Sequence, residues 1–377
     1  MIEVNSKKIW LSSPHMGGNE QDYINNAFAE NWIAPLGPNV SGFETDLETY
    51  LDRSSHVACL SSGTASLHLS LKILGVSQDD IVLCQSFTFA ASANPIKYLG
   101  ATPVFIDSER TTWNLCPEQL ENSIKHFMEL GKKPKAIIAV HLYGMPYRVD
   151  EIHKIALKYD IPIVEDSAEA LGSSYNGKKC GTFGHLGVLS FNGNKIITTS
   201  GGGALVTKDE AIKKKAIFLA TQARDDAPHY QHSEIGHNYR MSNILAGIGR
   251  GQMEVLDKHV ALRRRNYFFY REHLGNVDQI SFLEEPINTF SNRWLSCILL
   301  KSYEQREIVR EKLGGFNIES RPLWKPMHLQ PVFKDYPSFI NNVSEDLFNR
   351  GLCLPSGSNL AIDDLETIVE LIKSSGL

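Results

Sequence analysis

Three stretches of the chain hold residues able to do chemistry, and each lies where an apolar run gives way to small or polar residues. Ser61-Ser62-Gly63-Thr64-Ala65-Ser66 opens a helix-forming segment. Backbone N–H groups and hydroxyls at a helix start, with the positive end of the dipole behind them, make a cup for an anion. An ordinary serine-rich N-cap has the same composition. Neither G-K-[ST] nor G-x-G-x-x-G is present there, so it is not a Walker loop or a dinucleotide turn. Glu165-Asp166-Ser167-Ala168-Glu169 follows the apolar run at 161–164. A carboxylate at Asp166 either caps a helix or pairs with a protonated ring nitrogen; at ~3 Å and an effective dielectric of ~20 that pair is worth on the order of 5 kcal/mol before desolvation. The third stretch runs from Ser190-Phe191-Asn192-Gly193-Asn194-Lys195 to Ser200-Gly201-Gly202-Gly203, and no charged residue flanks its lysine. Lys195 is either a loop lysine beside a glycine run or an amine partly withdrawn from water, whose lowered pKa suits Schiff-base formation with an aldehyde.

A phosphate cup, an acid for a ring nitrogen and a Schiff-base lysine are together the parts that pyridoxal 5′-phosphate requires. The conjunction is far more specific than any member. Other candidates fit blander roles. His229, His232 and His237 are spaced by three and then five, which matches no metal template, and they are taken as loop and substrate-lid residues. No metal site is expected. Gly247-Ile248-Gly249-Arg250-Gly251 falls inside a helix-forming segment and is taken as a close-packing surface. Arg224, Arg240, Arg293, Arg321 and Lys325 suit a diphosphate or a carboxylate, but each taken singly is better explained as a surface ion-pair residue.

The elements that must carry these residues follow from hydrophobic patterning. Short apolar runs at 57–60, 81–84, 103–106, 136–140 and 161–164 alternate with helix-forming segments that begin after Gly63, near Phe89, at Pro117 and at Val149. Such a pattern predicts buried parallel strands joined by crossovers, an α/β sheet covered on both faces, with functional residues where strands end and helices begin. Asn176-Gly177 predicts a hairpin before the strand at 186–191, and 203–206 predicts another strand. Upstream, a helix is expected from Asn19, capped by that side chain, to about 31–32. Ser41-Gly42-Phe43-Glu44 reads as a capping box opening a second helix. A long unbroken helix is expected from Ser242 past Arg263. It suggests a large α/β domain at 1–241, and a linking helix with a small C-terminal α+β domain at 242–377.

With 377 residues, 42% hydrophobic, 21% charged and a net charge of −5, the chain is expected to be an ordinary soluble protein with room for two such units. Nothing basic enough for nucleic acid or an anionic membrane surface is present. No apolar run approaches the ~18 residues of a membrane span, and Met1 to Lys8 lacks the apolar core of a signal peptide. Six scattered cysteines with no C-x-x-C pair suggest a reduced, cytoplasmic setting.

The sequence also resembles the DegT/DnrJ/EryC1/StrS sugar aminotransferases of the aspartate-aminotransferase (type I) fold. The resemblance covers nearly the whole chain. It rests on the three stretches above together with Ser86-Phe87-Thr88-Phe89, Pro103-Val104-Phe105-Ile106-Asp107, His141-Leu142-Tyr143-Gly144, Gly236-His237-Asn238-Tyr239-Arg240-Met241-Ser242-Asn243 and Arg321-Pro322-Leu323-Trp324-Lys325-Pro326-Met327-His328. It implies roles position by position. Lys195 would form the Schiff base and shuttle the proton. Asp166 would bind the pyridinium nitrogen, Glu169 would lie near the ring hydroxyl and Phe87 would stack on the ring. Gly63, Thr64 and Ser190 would hold the phosphate, and Asn238 would reach it from the neighbouring subunit of a homodimer with shared sites. His15, Met16, Arg240, Arg293, Arg321 and His328 would contact substrate.

Two departures from the commoner family pattern narrow the expectation. Many members have Gln or His where this chain has Glu169, and T-G-E-G-G where it has Thr199-Ser200-Gly201-Gly202-Gly203. Both resemble the subgroup that aminates UDP-linked 4-keto-6-deoxy-N-acetylglucosamine for bacillosamine- or legionaminic-type cell-surface sugars. So do Pro14-His15-Met16-Gly17-Gly18-Asn19-Glu20 and Ser291-Asn292-Arg293-Trp294-Leu295-Ser296. The implied reaction moves the amino group of L-glutamate, through a pyridoxamine phosphate form, to C4 of the sugar. A GDP- or dTDP-linked sugar, or amination at C3, is the rival. A family dehydratase would carry His in place of Lys195, and a regulator on the same fold would need added nucleic-acid-binding sequence.

Overall fold

The computed structural model describes residues 7–376, so the reading of Met1 to Ser6 as lacking a leader's apolar core lies outside the described residues. Eight strands form the main sheet, in the order His56–Leu60, Gly203–Thr207, Leu186–Ser190, Ile163–Asp166, Ala136–Val140, Ile81–Gln85, Thr102–Ile106 and Ser338–Phe339. Gly203–Thr207 alone runs antiparallel to its neighbours, and the other pairings are parallel. The central strands are buried along their whole length, which is why they lack the alternation of a one-sided sheet.

Register then sets the site. Leu60 and Ser190 both pair with Gly203, and Asp166 pairs with Val140 and Val188. The ends of four strands therefore meet at one edge. Gly203 is held there by close approach: a Cβ on it would fall 2.3 Å from the Gly63 nitrogen and 2.4 Å from the Ser62 carbonyl carbon.

Below that edge the wholly buried Glu165 carboxylate ties the strands together. His141 Nε2 donates to it at 2.7 Å, the Gly181, Phe183 and Gly184 amides at 2.5, 2.7 and 2.9 Å, and Ser167 Oγ at 3.2 Å. Burial alone would raise its pKa. The His141 bond and the backbone donors outweigh that and hold it below the usual carboxylate range. Cys180 lies 3.9 Å from His141 Nδ1, but Nδ1 already accepts from the Tyr147 amide at 3.2 Å. The cluster is a filled hydrogen-bond network.

A second, antiparallel sheet, ordered Ser281–Phe282, Ser296–Leu299, Gly351–Leu354 and Arg321–Pro322, lies in the C-terminal part and packs against the helices Tyr303–Gly315 and Ile362–Lys373. We propose a division of the chain near residue 242, although Ser338–Phe339 crosses back to join the main sheet. Asn176-Gly177 turns the hairpin between Ser174–Tyr175 and Lys178–Lys179. All six cysteines are free and buried, and among the described residues no helix is long and apolar enough to cross a membrane.

Several elements differ from the sequence expectation. The first helix is Glu20–Ala29 and Asn19 makes no side-chain cap. Its amide donates to Glu254 instead, and the Glu20 carboxylate takes the Gly17 and Gly18 amides. The second helix, Pro38–Leu51, begins three residues before the capping-box pattern, because Pro38 stands at a first-turn position that needs no N–H. Glu44 is thereby turned inward. It accepts from the Cys59 amide at 2.9 Å and pairs with Arg240 at 2.5 Å. The expected long helix is two, Asn243–Met253 and Leu256–Leu274, parted at the non-helical Val255. Its glycines do serve close packing: a Cβ on Gly249 would stand 2.7 Å from the Phe43 ring.

Arg240 thus neutralises a buried carboxylate beside the sheet edge and also bonds the Cys59 carbonyl at 2.9 Å. Arg240→Met should lower unfolding free energy by roughly 3–5 kcal/mol, the usual loss when one partner of a buried pair is removed. Urea unfolding of the variant tests this, and wild-type stability would rule out the structural role.

Candidate active site

The three chemically equipped stretches open onto one cavity of about 300 Å³. Gly63, Thr64, Asp166, Glu169, Ser190, Lys195 and Arg321 all line it. The helix Gly63–Ile73 begins at its floor. Ser62 is the N-cap, and its Oγ accepts from the Ala65 amide at 3.0 Å. The first N–H groups of a helix have no intrahelical partner. Ser190 crowds the same turn, since a Cβ on Gly63 would lie 3.0 Å from the Ser190 Cβ. That bare backbone surface between a hydroxyl and a helix start is a cradle for phosphate oxygens.

Asp166 ends its strand at 4% exposure. Ser92 Oγ donates to it at 2.7 Å and the Ala168 amide at 3.2 Å. Burial raises its pKa, and those two bonds together with the charge of Lys195 oppose the rise. A buried carboxylate held by two neutral donors is well suited to a cationic ring nitrogen.

Lys195 Nζ donates to Glu169 Oε1 at 3.3 Å and lies 4.1 Å from the centre of the Trp294 ring. Glu169 Oε2 accepts from the Tyr143 amide at 2.7 Å. Burial drives the Glu169 carboxyl from an ordinary 4.5 to about 7, against the pull of Lys195. Near neutrality it is therefore shared between its neutral and charged forms, which relieves the extra negative charge that Glu brings where Gln or His is commoner.

Several expected site residues lie elsewhere. Phe87 is wholly buried, edge-on to Tyr143 with ring centres 6.2 Å apart. Gln85 Nε2 holds its carbonyl at 2.9 Å, and the turn brings Phe89, at 59% exposure, to the cavity instead. Arg293 is also buried. It donates to the Leu283 carbonyl at 2.7 Å, its guanidinium stacks 3.6 Å from the Tyr267 ring centre, and the next residue, Trp294, faces the cavity. Arg240 is committed to Glu44. His15 stacks on His259 at 4.7 Å and meets Ser358 Oγ at 3.0 Å, outside the cavity lining. Met16 is exposed on the same loop. His328 binds Ser86 Oγ at 2.7 Å beneath the Phe87 turn. Asn238 is exposed, on a segment bridged to Thr221 and away from this chain's own cavity. His237 stacks on Tyr239 and lies 3.3 Å from Lys72, while His232 bonds the Gln222 carbonyl, so the three histidines do not converge.

Reading residues alone passed over Ser92, Phe89, Trp294 and Trp324. Phe89, Trp294 and Trp324 stood inside quoted motifs, but which member of each motif faces inward is set by turns that the spacing does not reveal. Ser92 carried no signal at all, being one serine in the helix Ala90–Tyr98.

A helix-start cup after one strand, a buried acid at the end of another and a lysine on the exit turn of the strand beside that acid suit the phosphate, ring nitrogen and aldehyde of pyridoxal phosphate. On this α/β frame they define a pyridoxal-phosphate-dependent aminotransferase of the type I fold. The chain belongs to the DegT/DnrJ/EryC1/StrS aminotransferase family, whose sequence profile matches residues 14–373. It is 52% identical over 371 residues to the "Putative pyridoxal phosphate-dependent aminotransferase EpsN" of Bacillus subtilis (strain 168), with 97% of this chain and 95% of that protein covered. It is 36% identical to the GDP-perosamine synthase of Escherichia coli O157:H7, covering 97% and 98%. The crystal structure of a DegT DnrJ EryC1 StrS aminotransferase from Brucella abortus superposes with a TM-score of 0.89 at 31% identity, covering 95% and 96%.

The raised carboxyl of Glu169 makes a sign-definite prediction for the cofactor-free protein. Between 4.5 and about 7 the folded chain holds a proton that the unfolded chain has lost. This contribution is therefore full below pH 4.5 and declines as pH rises to about 7, by on the order of 3 kcal/mol. Glu169→Gln should flatten that decline in urea unfolding from pH 4.5 to 8, and parallel curves for the two proteins would contradict the assignment.

Proposed function

We propose that this sugar aminotransferase moves the amino group of L-glutamate to the 4-keto carbon of a UDP-linked 6-deoxy-N-acetylhexosamine, giving a UDP-4-amino-4,6-dideoxy sugar and 2-oxoglutarate. The convergence of Gly63, Ser190, Asp166 and Lys195 on one cavity carries the chemistry. Glu169 in place of Gln or His, together with the Ser200 to Gly203 tail, supports the UDP-linked 4-keto substrate. A GDP-linked keto sugar is the second reading, favoured by the 36% identity to a protein named GDP-perosamine synthase.

When bound, the cofactor supplies an aldehyde for amine exchange and a ring that takes up carbanion charge. The protein does the rest. Gly63, Thr64 and Ser190 would hold the phosphate, and the Asp166 carboxyl, steadied by Ser92, would pair with the ring nitrogen. Lys195 would supply the reacting amine and then carry the proton to and from the substrate carbon, with the Trp294 ring beside its Nζ. Glu169 accepts a hydrogen bond from Nζ and, with a carboxyl near 7, takes up or returns a proton at little energetic cost. Phe89, Trp294 and Trp324 give the cavity its aromatic lining. Arg321, at the cavity lip and paired with Glu319 at 2.5 Å, is the cation presented to an incoming carboxylate or diphosphate. The exposed Asn238 would complete the phosphate cup of a second subunit in a homodimer.

Lys195→Ala should remove the visible absorbance of the cofactor-loaded protein and slow turnover by at least the ~10²–10⁴-fold expected for a lost proton carrier. If both survive, another amine does this work. Offering UDP-, GDP- and dTDP-linked 4-keto sugars with glutamate and following 2-oxoglutarate should rank the UDP-linked N-acetylated sugar first, and GDP-linked sugar in first place would move the reading to its rival.

A further inference from the structure

Arg263, in the middle of the helix Leu256–Leu274, heads the largest fully buried side chains, at 1% exposure. Among the described residues it has no carboxylate partner. A guanidinium without a counter-ion inside a protein is expensive to keep and persists only where acceptors are placed for it.

Those acceptors belong to the reactive lysine's surroundings. Arg263 Nη2 donates to the Lys195 carbonyl at 3.3 Å and to Ser12 Oγ at 2.9 Å, and Nη1 donates to the Trp294 carbonyl at 2.7 Å. The same partners close on the preceding residue. Ser12 Oγ and Trp294 Nε1 donate to the Asn194 carbonyl at 2.6 and 2.7 Å, while the Lys195 amide bonds the Asn192 carbonyl at 3.0 Å. The Asn194 carbonyl is thus pinned by Ser12 and the cavity-wall Trp294, and the next carbonyl, of Lys195, by the planar fork that also holds those two residues. Nε has no partner, so the network is carried by the two terminal nitrogens.

We propose that Arg263 is a positioning residue for the reaction: its fork fixes the Asn192 to Lys195 turn against Trp294 and Ser12, and so sets where Nζ stands relative to the cofactor and the substrate carbon. Arginine is required because its donors are rigid and planar, whereas a lysine ammonium is a point donor on a flexible stem. The inference rests on Lys195 as the reacting amine. Failure of that reading would appear in Lys195→Ala, as a visible absorbance and turnover that survive the substitution. Failure of this inference would appear only in Arg263 and Ser12 variants.

The test compares Arg263→Lys and Arg263→Met as cofactor-loaded enzymes, with melting curves taken alongside. The glutamate half-reaction, followed by visible absorbance, should slow about 10- to 100-fold in Arg263→Met, the scale of a misplaced reacting group. KM for glutamate should change by less than about threefold, since ground-state binding is not the target. Arg263→Lys should recover only part of the rate, and the pH at which the absorbance titrates should shift in both. A folded Arg263→Met with unchanged rate and titration midpoint would overturn the proposal, as would full recovery by lysine. Should Arg263→Met fail to fold, Ser12→Ala carries the test. A half-reaction about 2- to 10-fold slower, as one lost hydrogen bond allows, with a shifted midpoint at unchanged melting temperature supports the proposal. Unchanged rate and midpoint in Ser12→Ala overturn it.

Discussion

Much of the molecule depends on one carboxylate that takes no part in the chemistry. Glu165 is adjacent in sequence to Asp166, and it receives donors from the turn that opens the strand Leu186–Ser190. It therefore fixes two chemically equipped strand ends with a single side chain. An apolar residue there would leave three backbone N–H groups and His141 without an acceptor in a buried region, and buried amides in that state are strongly disfavoured. The anion is kept because its surroundings supply as many hydrogen bonds as water would. The site residues can then be presented from a frame that does not relax.

The active cavity shows the opposite economy. Asp166 and Glu169 are both buried and both raised by burial, and one lysine amine faces the second of them. Two full negative charges beside one cation would be poorly matched. Letting Glu169 hold its proton part of the time brings the group nearer balance. Trp294 contributes without formal charge, offering Nζ the face of its ring. In the proposed mechanism, the desolvation that raises Glu169 would also suit it to exchange a proton near neutral pH.

How much of this was legible in the sequence divides along physical lines. Strand positions and the convergence of residues 61–66, 166 and 195 could be read because fully buried parallel strands leave continuous apolar runs, and because a crossover brings strand ends to one edge. What escaped was orientation. Phe87 or Phe89, Arg293 or Trp294: in each pair the neighbours differ only in which way a turn points them, and the turns are set by side-chain bonds from Gln85 and to Leu283 that are distant in sequence or invisible in composition. The same holds for the helix starts. Proline at 38 pre-empted the capping pattern at 41–44 and released Glu44 to meet Arg240. The break at Val255 follows from packing, since the residues around it form an uninterrupted helix-compatible run. Arg263 entered only as a position along the expected long helix, and nothing in its neighbours in sequence marks it as buried.

The short strand Ser338–Phe339 has a consequence for how the protein is made. It caps the outer edge of the main sheet, where the Phe105 amide bonds the Pro337 carbonyl at 2.9 Å and the Asp107 amide bonds the Phe339 carbonyl at 3.0 Å. All the other strands of that sheet lie before residue 208. During synthesis the sheet is therefore complete but for one edge while more than a hundred further residues are added, and that open edge is a template for pairing with another nascent chain. The main sheet therefore reaches its full width only by taking a strand from a segment made long after its other strands.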